Sequence, residues 1–600
     1  MNRFLKTASA LFLASQLGAC SIDTVEEQKP NVLLILTDDQ GWGDLSFNGN
    51  QHLQTPNLDG LFEQSTVLSN FYVNPVCAPS RASLLTGRYN LRTGTSWVTR
   101  GTENMRTEEV TMAEIFKDEG YKTGLFGKWH NGAHYPQDPN GQGFDEFWGF
   151  CAGHWSNYFD TELQHNQEMT PTKGYITDVL TDKAMVFMEE NKEKPFLCFV
   201  PYNTPHTPFQ VADKYFDKYK DIDFGKGEEG NKQIAAVYGM IDNMDENIGR
   251  MLQKMEDLDL DENTIVIFLT DNGPQQYRYN GAFRGRKTDV LEGGVRVPFA
   301  IKWQNQIQSQ KIMQFSAHID ILPTLLDLCK IEKPQYLKLD GISLSKSIMG
   351  EKNKESDRIL FDIMTNQDVV SDYKGTAIQA PYKWVIEHGK KSLYNIKHDP
   401  SEQSNLIDSL NEKGKQLELA YLNWFDDVTK NGFDPFLIPV GYNQAPVVQL
   451  QAHEARLVGD LKYKHSVHGW AHDWVINWKN TTDRIEWDID VIEDSSFEIF
   501  LNYSCSEDQI GSGLMVKANG QELRTTISEA FIPTQIDSPD RASREQEAYE
   551  QTWGKLSLGK IQLPKGKHTI SLSATKIGKT EVGELKNITM SKQVGNLVKI

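Results

Sequence analysis

The stretch NVLLILTDDQGWGD, Asn31 to Asp44, joins a short apolar, β-prone run, Val32 to Leu36, to paired aspartates and a glycine-punctuated turn. An unbroken apolar run of this length reads as a strand covered on both faces, because a half-buried strand would alternate. The pattern returns in NTIVIFLTDNG at Ile265 to Leu269, and a third run, PFLCFVPYNTPH, starts at Phe196. Between the last two lies QIAAVYGMIDNMDENIGRMLQKMEDLDL. Its Ile234, Val237, Ile241, Met244, Ile248, Met251, Met255 and Leu258 fall at spacings of three and four, one apolar helix face. A short coiled coil would show the same period, but the flanking strands favour a crossover helix. Strand, helix, strand predicts a βαβ unit and an α/β sandwich. Ligands of open α/β sheets bind at the carboxyl ends of the strands. Asp38, Asp39, Asp271, Asn272 and His206 all follow such ends.

Six hundred residues exceed one ordinary core, so at least one further domain is expected. The net charge of −20 argues against nucleic-acid binding, and an anionic substrate must then be drawn in by a local basic pocket. Arg3 and Lys6 precede ASALFLAS, too short to span a bilayer but suited to a secretory signal. It ends in Leu17-Gly18-Ala19-Cys20, which resembles the lipobox of bacterial lipoproteins. That resemblance implies cleavage before Cys20 and a lipid on its sulfur, with SIDTVEEQKP as a polar tether. The competing reading is a plain signal peptide. Cys77, Cys151, Cys198, Cys329 and Cys505 are scattered without CxxC spacing, which signals neither a zinc site nor a disulfide framework.

After about residue 430 the character changes. NGFDPFLIPVGYNQAP reads as a linker, followed by alternating IEWDIDV and the strand-like FEIFLNY. Asn519-Gly520 marks a hairpin in MVKANGQEL, and IQLPKGKHTISLS reads as a second one. Short strands separated by turns predict a β-sandwich.

The chemistry starts with oxygen ligands. Asp38, Asp39, Asp271 and Asn272 would offer three carboxylates and an amide from two strand ends, a set suited to Ca²⁺ or Mg²⁺. An isolated pair of this kind would more often cap a turn; the matched pairs shift the reading to a metal. Lys128 and His130 in GLFGKWHNG, His206 between prolines in NTPHTP, and Lys287 in GRKTDVLEGGVRVP place basic groups near the same edge. In CAPSRASLLTGR, Pro79 and Ser80 can open a helix and Gly87 can stop it. Cys77 would sit at the helix N-terminus, where a depressed thiol pKa is expected.

CAPSRASLLTGR resembles the signature of formylglycine-dependent sulfatases of the arylsulfatase type, in the alkaline phosphatase superfamily. Cys77, Pro79, Ser80 and Arg81 fit its core. TDDQGWGD, GKWHNG, PHTP, TDNG, GRKTDVLEGGVRVP and LYNIKHDPSEQSNL match further segments in order, over roughly residues 29–430. Asn131 departs from the leucine of many members. The resemblance implies an alkaline phosphatase-like α/β fold, a mostly parallel sheet between helices, with a small C-terminal α+β subdomain and the appended β-sandwich domain. On this reading 1–19 is the signal peptide, 20–29 a tether and 30–350 the catalytic domain. The subdomain is 351–430, the linker 431–445 and the sandwich 446–600.

The same resemblance implies roles. A formylglycine-generating or anaerobic sulfatase-maturating enzyme would convert Cys77 to formylglycine, whose hydrate attacks the sulfate. Asp38, Asp39, Asp271, Asn272 and the modified Cys77 would surround Ca²⁺, or less favourably Mg²⁺. Arg81, Lys128 and Lys287 would neutralise sulfate oxygens, His206 with Lys287 would protonate the leaving oxygen, and His130 would assist the hydrate. The expected substrate is a sulfated polysaccharide outside the cytoplasm: an algal glycan such as ulvan or carrageenan first, a glycosaminoglycan second. Arg284, His154 and His318 are candidate substrate contacts, and Trp470, Trp474 and Trp478 either stack on sugars or pack. The alternatives are a phosphodiesterase or phosphonate monoester hydrolase on the same scaffold, and a catalytically dead glycan-binding protein. The expected location is an exported bacterial lipoprotein on the outer membrane, facing the periplasm or the cell surface.

Overall fold

The computed structural model describes residues 28–351, 357–366, 369–544 and 546–593. The expected signal peptide, the lipidation site Cys20 and most of the tether lie outside the described residues.

Strand β1, Asn31–Thr37, is wholly buried at the centre of an eleven-stranded sheet. Helix α1 spans Cys77–Thr86 and strand β2 Lys122–Lys128. Strand β3 is Phe196–Pro201, helix α2 Gly227–Asp257 and strand β4 Thr264–Thr270. β1 pairs in parallel with β3 on one side and β4 on the other, and β2 extends the parallel run beyond β3. The βαβ unit therefore exists, but α2 carries the chain across β1 rather than to an adjacent strand. The apolar run of β1 has two destinations. Leu33 and Ile35 enter one core with Ile234, Val237, Ile241 and Met244 of α2. Val32, Leu34 and Leu36 enter the opposite core with Leu84 and Leu85 of α1. Both faces are dry, which is why the sequence does not alternate.

A four-stranded antiparallel sheet, Leu360–Ile363 to Lys390–Asn395, packs against the helix Asn411–Thr429 through Trp384 and Tyr421. Two further six-stranded sheets enclose a third core containing Trp487, Ile489, Leu501, Val516 and Ile588. In Arg484–Val491 every second residue is buried, as IEWDIDV requires. Ile438–Val440, inside the segment read as a linker, forms a parallel strand on that same element. Asn519 and Gly520 have φ of 47° and 74° and turn a true hairpin, Gly513–Ala518 with Gln521–Thr526. The second expected hairpin does not form. Gly554–Leu563 pairs with Ser495–Ser504 in one sheet, whereas Gly566–Lys576 joins the other. A turn signal specifies reversal of the chain, not which sheet edge accepts the next strand.

Candidate active site

Cys77 begins α1 directly after extended Val76, and the helix ends at Gly87 in the left-handed region, φ 66°. Asn131 braces the first turn by donating to the Ala78 carbonyl at 3.0 Å, a task leucine could not perform. The thiol does not behave as its helix position suggested. Burial pushes its pKa up, and the pull of Lys128 and Lys287 does not reverse this. The shift is opposite to the depressed pKa expected at a helix start: burial, with Asp38 and Asp271 beside the thiol, favours the neutral form. The other four described cysteines are also free and buried.

Around Cys77 three carboxylates meet three cations. Arg81, fully buried, donates Nε and Nη2 to Asp271 Oδ2 at 3.0 and 2.8 Å and Nη1 to the Lys128 carbonyl at 2.7 Å. Lys128 Nζ lies 2.6 Å from Asp38 Oδ2, and Lys287 Nζ 2.7 Å from Asp39 Oδ1. Burial alone would raise the Asp38 pKa, but Lys128, His206, Arg81 and Lys287 hold it well below the carboxylate range. Burial and the Asp38 charge push Asp271 up to about 7 against the pull of Arg81. Asp39 takes φ 65°, and the buried Arg278 supports it by donating to its carbonyl at 2.8 Å while pairing with Asp44.

The acids retain unused capacity. Asp38 Oδ1, Asp39 Oδ2, Asn272 Oδ1 and the neighbouring Gln40 Oε1 are buried without a hydrogen-bond partner. Buried oxygens left unsatisfied are costly unless something accepts their lone pairs. Asn272 Nδ2 donates to Asp39 Oδ1 at 2.7 Å, which fixes its oxygen as the free end. These oxygens, partly charged and converging from two strand ends, fit a hard divalent cation, and Cys77 Sγ and a His206 ring nitrogen lie close to the same carboxylates.

Cys77, His130, His154, His206 and Lys287 line a cavity of about 590 Å³, within the size of small-ligand sites. His130 follows β2 with φ 67°; its Nε2 lies 2.9 Å from the Val98 carbonyl and Nδ1 is unpartnered. Burial and Lys128 lower its pKa well below the ordinary value, so it is neutral. His206 Nδ1 donates to the Thr207 carbonyl at 2.9 Å, and Nε2 faces Asp39 Oδ2 at 3.7 Å. The His154 ring lies parallel to that of His206, centroids 6.5 Å apart, with Nε2 unpartnered.

The remaining sequence candidates separate. His318 is buried with Nε2 on Asn74 Oδ1 at 2.8 Å and does not line the cavity; desolvation lowers its pKa to about 3. Arg284 turns to the Tyr394 hydroxyl at 3.4 Å, away from the cavity lining. Neither residue lines the cavity, although Arg284 Nε and His318 Nδ1 are buried without a hydrogen-bond partner. Trp474 and Trp478 are core residues, whereas Trp470 lines the cavity. Sequence reasoning missed Gln40, Gly153, Thr207, Arg544 and Glu547. Gln40 and Thr207 flank named motif residues; Glu547 stands 340 residues from its partner Thr207 and left no local signal.

A fold built on β1, with paired acids at two strand ends and a cysteine at a helix start, is an ester hydrolase scaffold of the alkaline phosphatase-like kind. The chain belongs to the sulfatase family: the Sulfatase family model matches residues 30–331, and that of the N-sulphoglucosamine sulphohydrolase C-terminal region matches 283–422. It is 32% identical over 435 residues to the ulvan-active sulfatase of Formosa agariphila, covering 66% of this chain and 82% of that one. It is 30% identical over 372 residues to N-acetylgalactosamine-6-sulfatase of Homo sapiens, 56% and 68% covered. Among solved structures, Ps i-CgsB in complex with k-i-k-neocarrahexaose superposes with a TM-score of 0.63 at 28% identity, covering 68% of this chain and 95% of that one.

Proposed function

We propose that this sulfatase removes sulfate from a polysaccharide or its oligosaccharides, with ulvan or carrageenan the first choice and a glycosaminoglycan the second. One observation carries the reading: three cations, each tied to a carboxylate, surround Cys77 at a cavity large enough for a sugar. The similarity to an ulvan-active sulfatase and to a carrageenan-oligosaccharide complex supports the substrate class. The lipobox-like Leu17 to Cys20 supports export and lipid anchoring at the outer membrane, where such glycans are met.

Asp38, Asp39, Asp271 and Asn272 would hold Ca²⁺, which when bound would supply positive charge to the sulfate oxygens. Burial raises the Cys77 thiol pKa and so disfavours the thiolate; conversion to formylglycine by a maturation enzyme would supply an oxygen nucleophile in its place. Arg81, Lys128 and Lys287 would stabilise charge on the sulfuryl oxygens, and their carboxylate partners hold them in place before substrate arrives. His130, with Nε2–H spent on Val98, presents Nδ1 as an acceptor for a hydroxyl proton. His206, with Nδ1–H spent on Thr207, presents Nε2 to the cavity as the general acid for the departing sugar oxygen. Ion-chromatographic sulfate release from defined ulvan, carrageenan and glycosaminoglycan oligosaccharides tests the assignment. Turnover of phosphate diesters in place of sulfate esters would overturn it.

A further inference from the structure

The catalytic sheet alone does not complete the cavity. Between the sandwich strands Gln521–Thr526 and Gly554–Leu563 the chain leaves its own domain and lies along the segment after His206. Gln210 bridges to Asp540 and donates Nε2 to Ser538 Oγ at 2.7 Å. The Arg541 amide donates to the Phe209 carbonyl at 2.8 Å, and its side chain to the Val211 carbonyl at 2.9 Å. Arg544, almost fully buried, donates to the Ser156 carbonyl at 2.8 Å and to Asp540. These contacts deliver Glu547 to the cavity wall. The Thr207 hydroxyl donates to Glu547 Oε1, which lies 3.9 Å from His206 Nδ1.

We propose that Glu547 is a positioning residue for His206, acting through the Thr207 hydroxyl, so that the sandwich domain sets the leaving-group end of the catalytic site. This rests on the reading of His206 as general acid. Among the described residues Thr207 makes the hydrogen bonds of the ring: its carbonyl accepts Nδ1–H, and its Oγ1 lies 3.3 Å from the same nitrogen. Tyr158 fixes that carbonyl at 2.7 Å, but the hydroxyl side depends on Glu547. With Glu547 removed, the Thr207 hydroxyl loses its acceptor, Oγ1 is free to rotate away from Nδ1–H, and the direction of Nε2 is no longer fixed. Glu547 touches neither metal ligands nor reacting atoms, so it is not a catalytic residue.

The test uses full-length, matured protein and a series of aryl sulfates from 4-nitrophenyl to phenyl and 4-methoxyphenyl. A good leaving group needs no general acid, whereas a basic one does. Glu547→Ala is expected to lower kcat on phenyl sulfate about tenfold with KM unchanged and 4-nitrophenyl sulfate within about twofold. Glu547→Gln, which still accepts from Thr207, restores the rate. Crystal structures of both variants should show the His206 ring displaced in the first and in place in the second. An equal loss across the whole series, a wild-type leaving-group dependence in Glu547→Ala, or an unmoved ring overturns the proposal. A wild-type protein inactive on every sulfate ester would instead overturn the functional reading, and the two crystal structures would still decide the positioning.

Discussion

Lys128→Met isolates one ion pair in the site. Lys128 is wholly buried, and its amine lies 2.6 Å from Asp38 Oδ2. At an effective dielectric near 20 that attraction is about 6 kcal/mol. Methionine nearly matches the volume and removes the cost of burying the ammonium, so the net loss is about 3–5 kcal/mol, the usual result of orphaning a buried charge. The next cation, Arg81, is 3.8 Å from the same oxygen and already committed to Asp271. For a catalytic region of about 400 residues the loss corresponds to a fall in Tm of roughly 5 °C. Differential scanning calorimetry in EGTA reads this directly. Added Ca²⁺ should raise Tm more in Lys128→Met than in the parent, because the cation replaces the missing charge. Sulfatase kcat should fall about 10²–10³-fold, the scale of losing one preorganised donor. An unchanged Tm in EGTA, or equal Ca²⁺ responses, would refute the claim that Lys128 neutralises Asp38.

Three further outcomes follow from the geometry. A Cβ on Gly153 would lie 2.6 Å from His130 Nε2, so Gly153→Ala should reduce kcat at least about tenfold, with a circular dichroism spectrum and Tm close to the parent's. His134 and Glu454 join the catalytic and sandwich regions at 2.7 Å; burial would lower the His134 pKa, but Glu454 outweighs it and the net shift is upward. Its contribution is then full below the unfolded value near 6.5 and lost as pH rises through the higher folded value. Urea unfolding from pH 6 to 9 should show that loss in the parent and not in Glu454→Gln. Chelation should lower both Tm and activity, and Ca²⁺ should restore them at lower concentration than Mg²⁺, which tolerates an irregular oxygen set poorly; isothermal titration calorimetry checks the order.

Much of the fold was legible because it follows from dry faces. Val32 to Leu36 could not alternate with a core on each side, and α2 had to keep one apolar stripe against the sheet. The acids at Asp38, Asp39, Asp271 and Asn272 were readable because strand ends of a parallel sheet converge on one edge. Other features were not local. The turn at Pro564 to Lys565 announces reversal, yet the following strand belongs to the opposite sheet, a choice made by Arg484–Val491 and Gly513–Ala518 as partners. His318 carries the same imidazole as His130, and only its place beneath α1, against Asn74, removes it from the cavity. Glu547 reaches His206 through docking of a loop from another domain, which no spacing rule encodes.

The most direct test of the central claim compares one aryl group as its sulfate ester and as its phosphate diester, using matured protein and Cys77→Ala prepared in parallel. The matured protein is expected to turn over the sulfate ester with the higher kcat/KM, and Cys77→Ala to release no sulfate above background. Sulfate release retained by Cys77→Ala, or a preference for the phosphate diester in the parent, would contradict it.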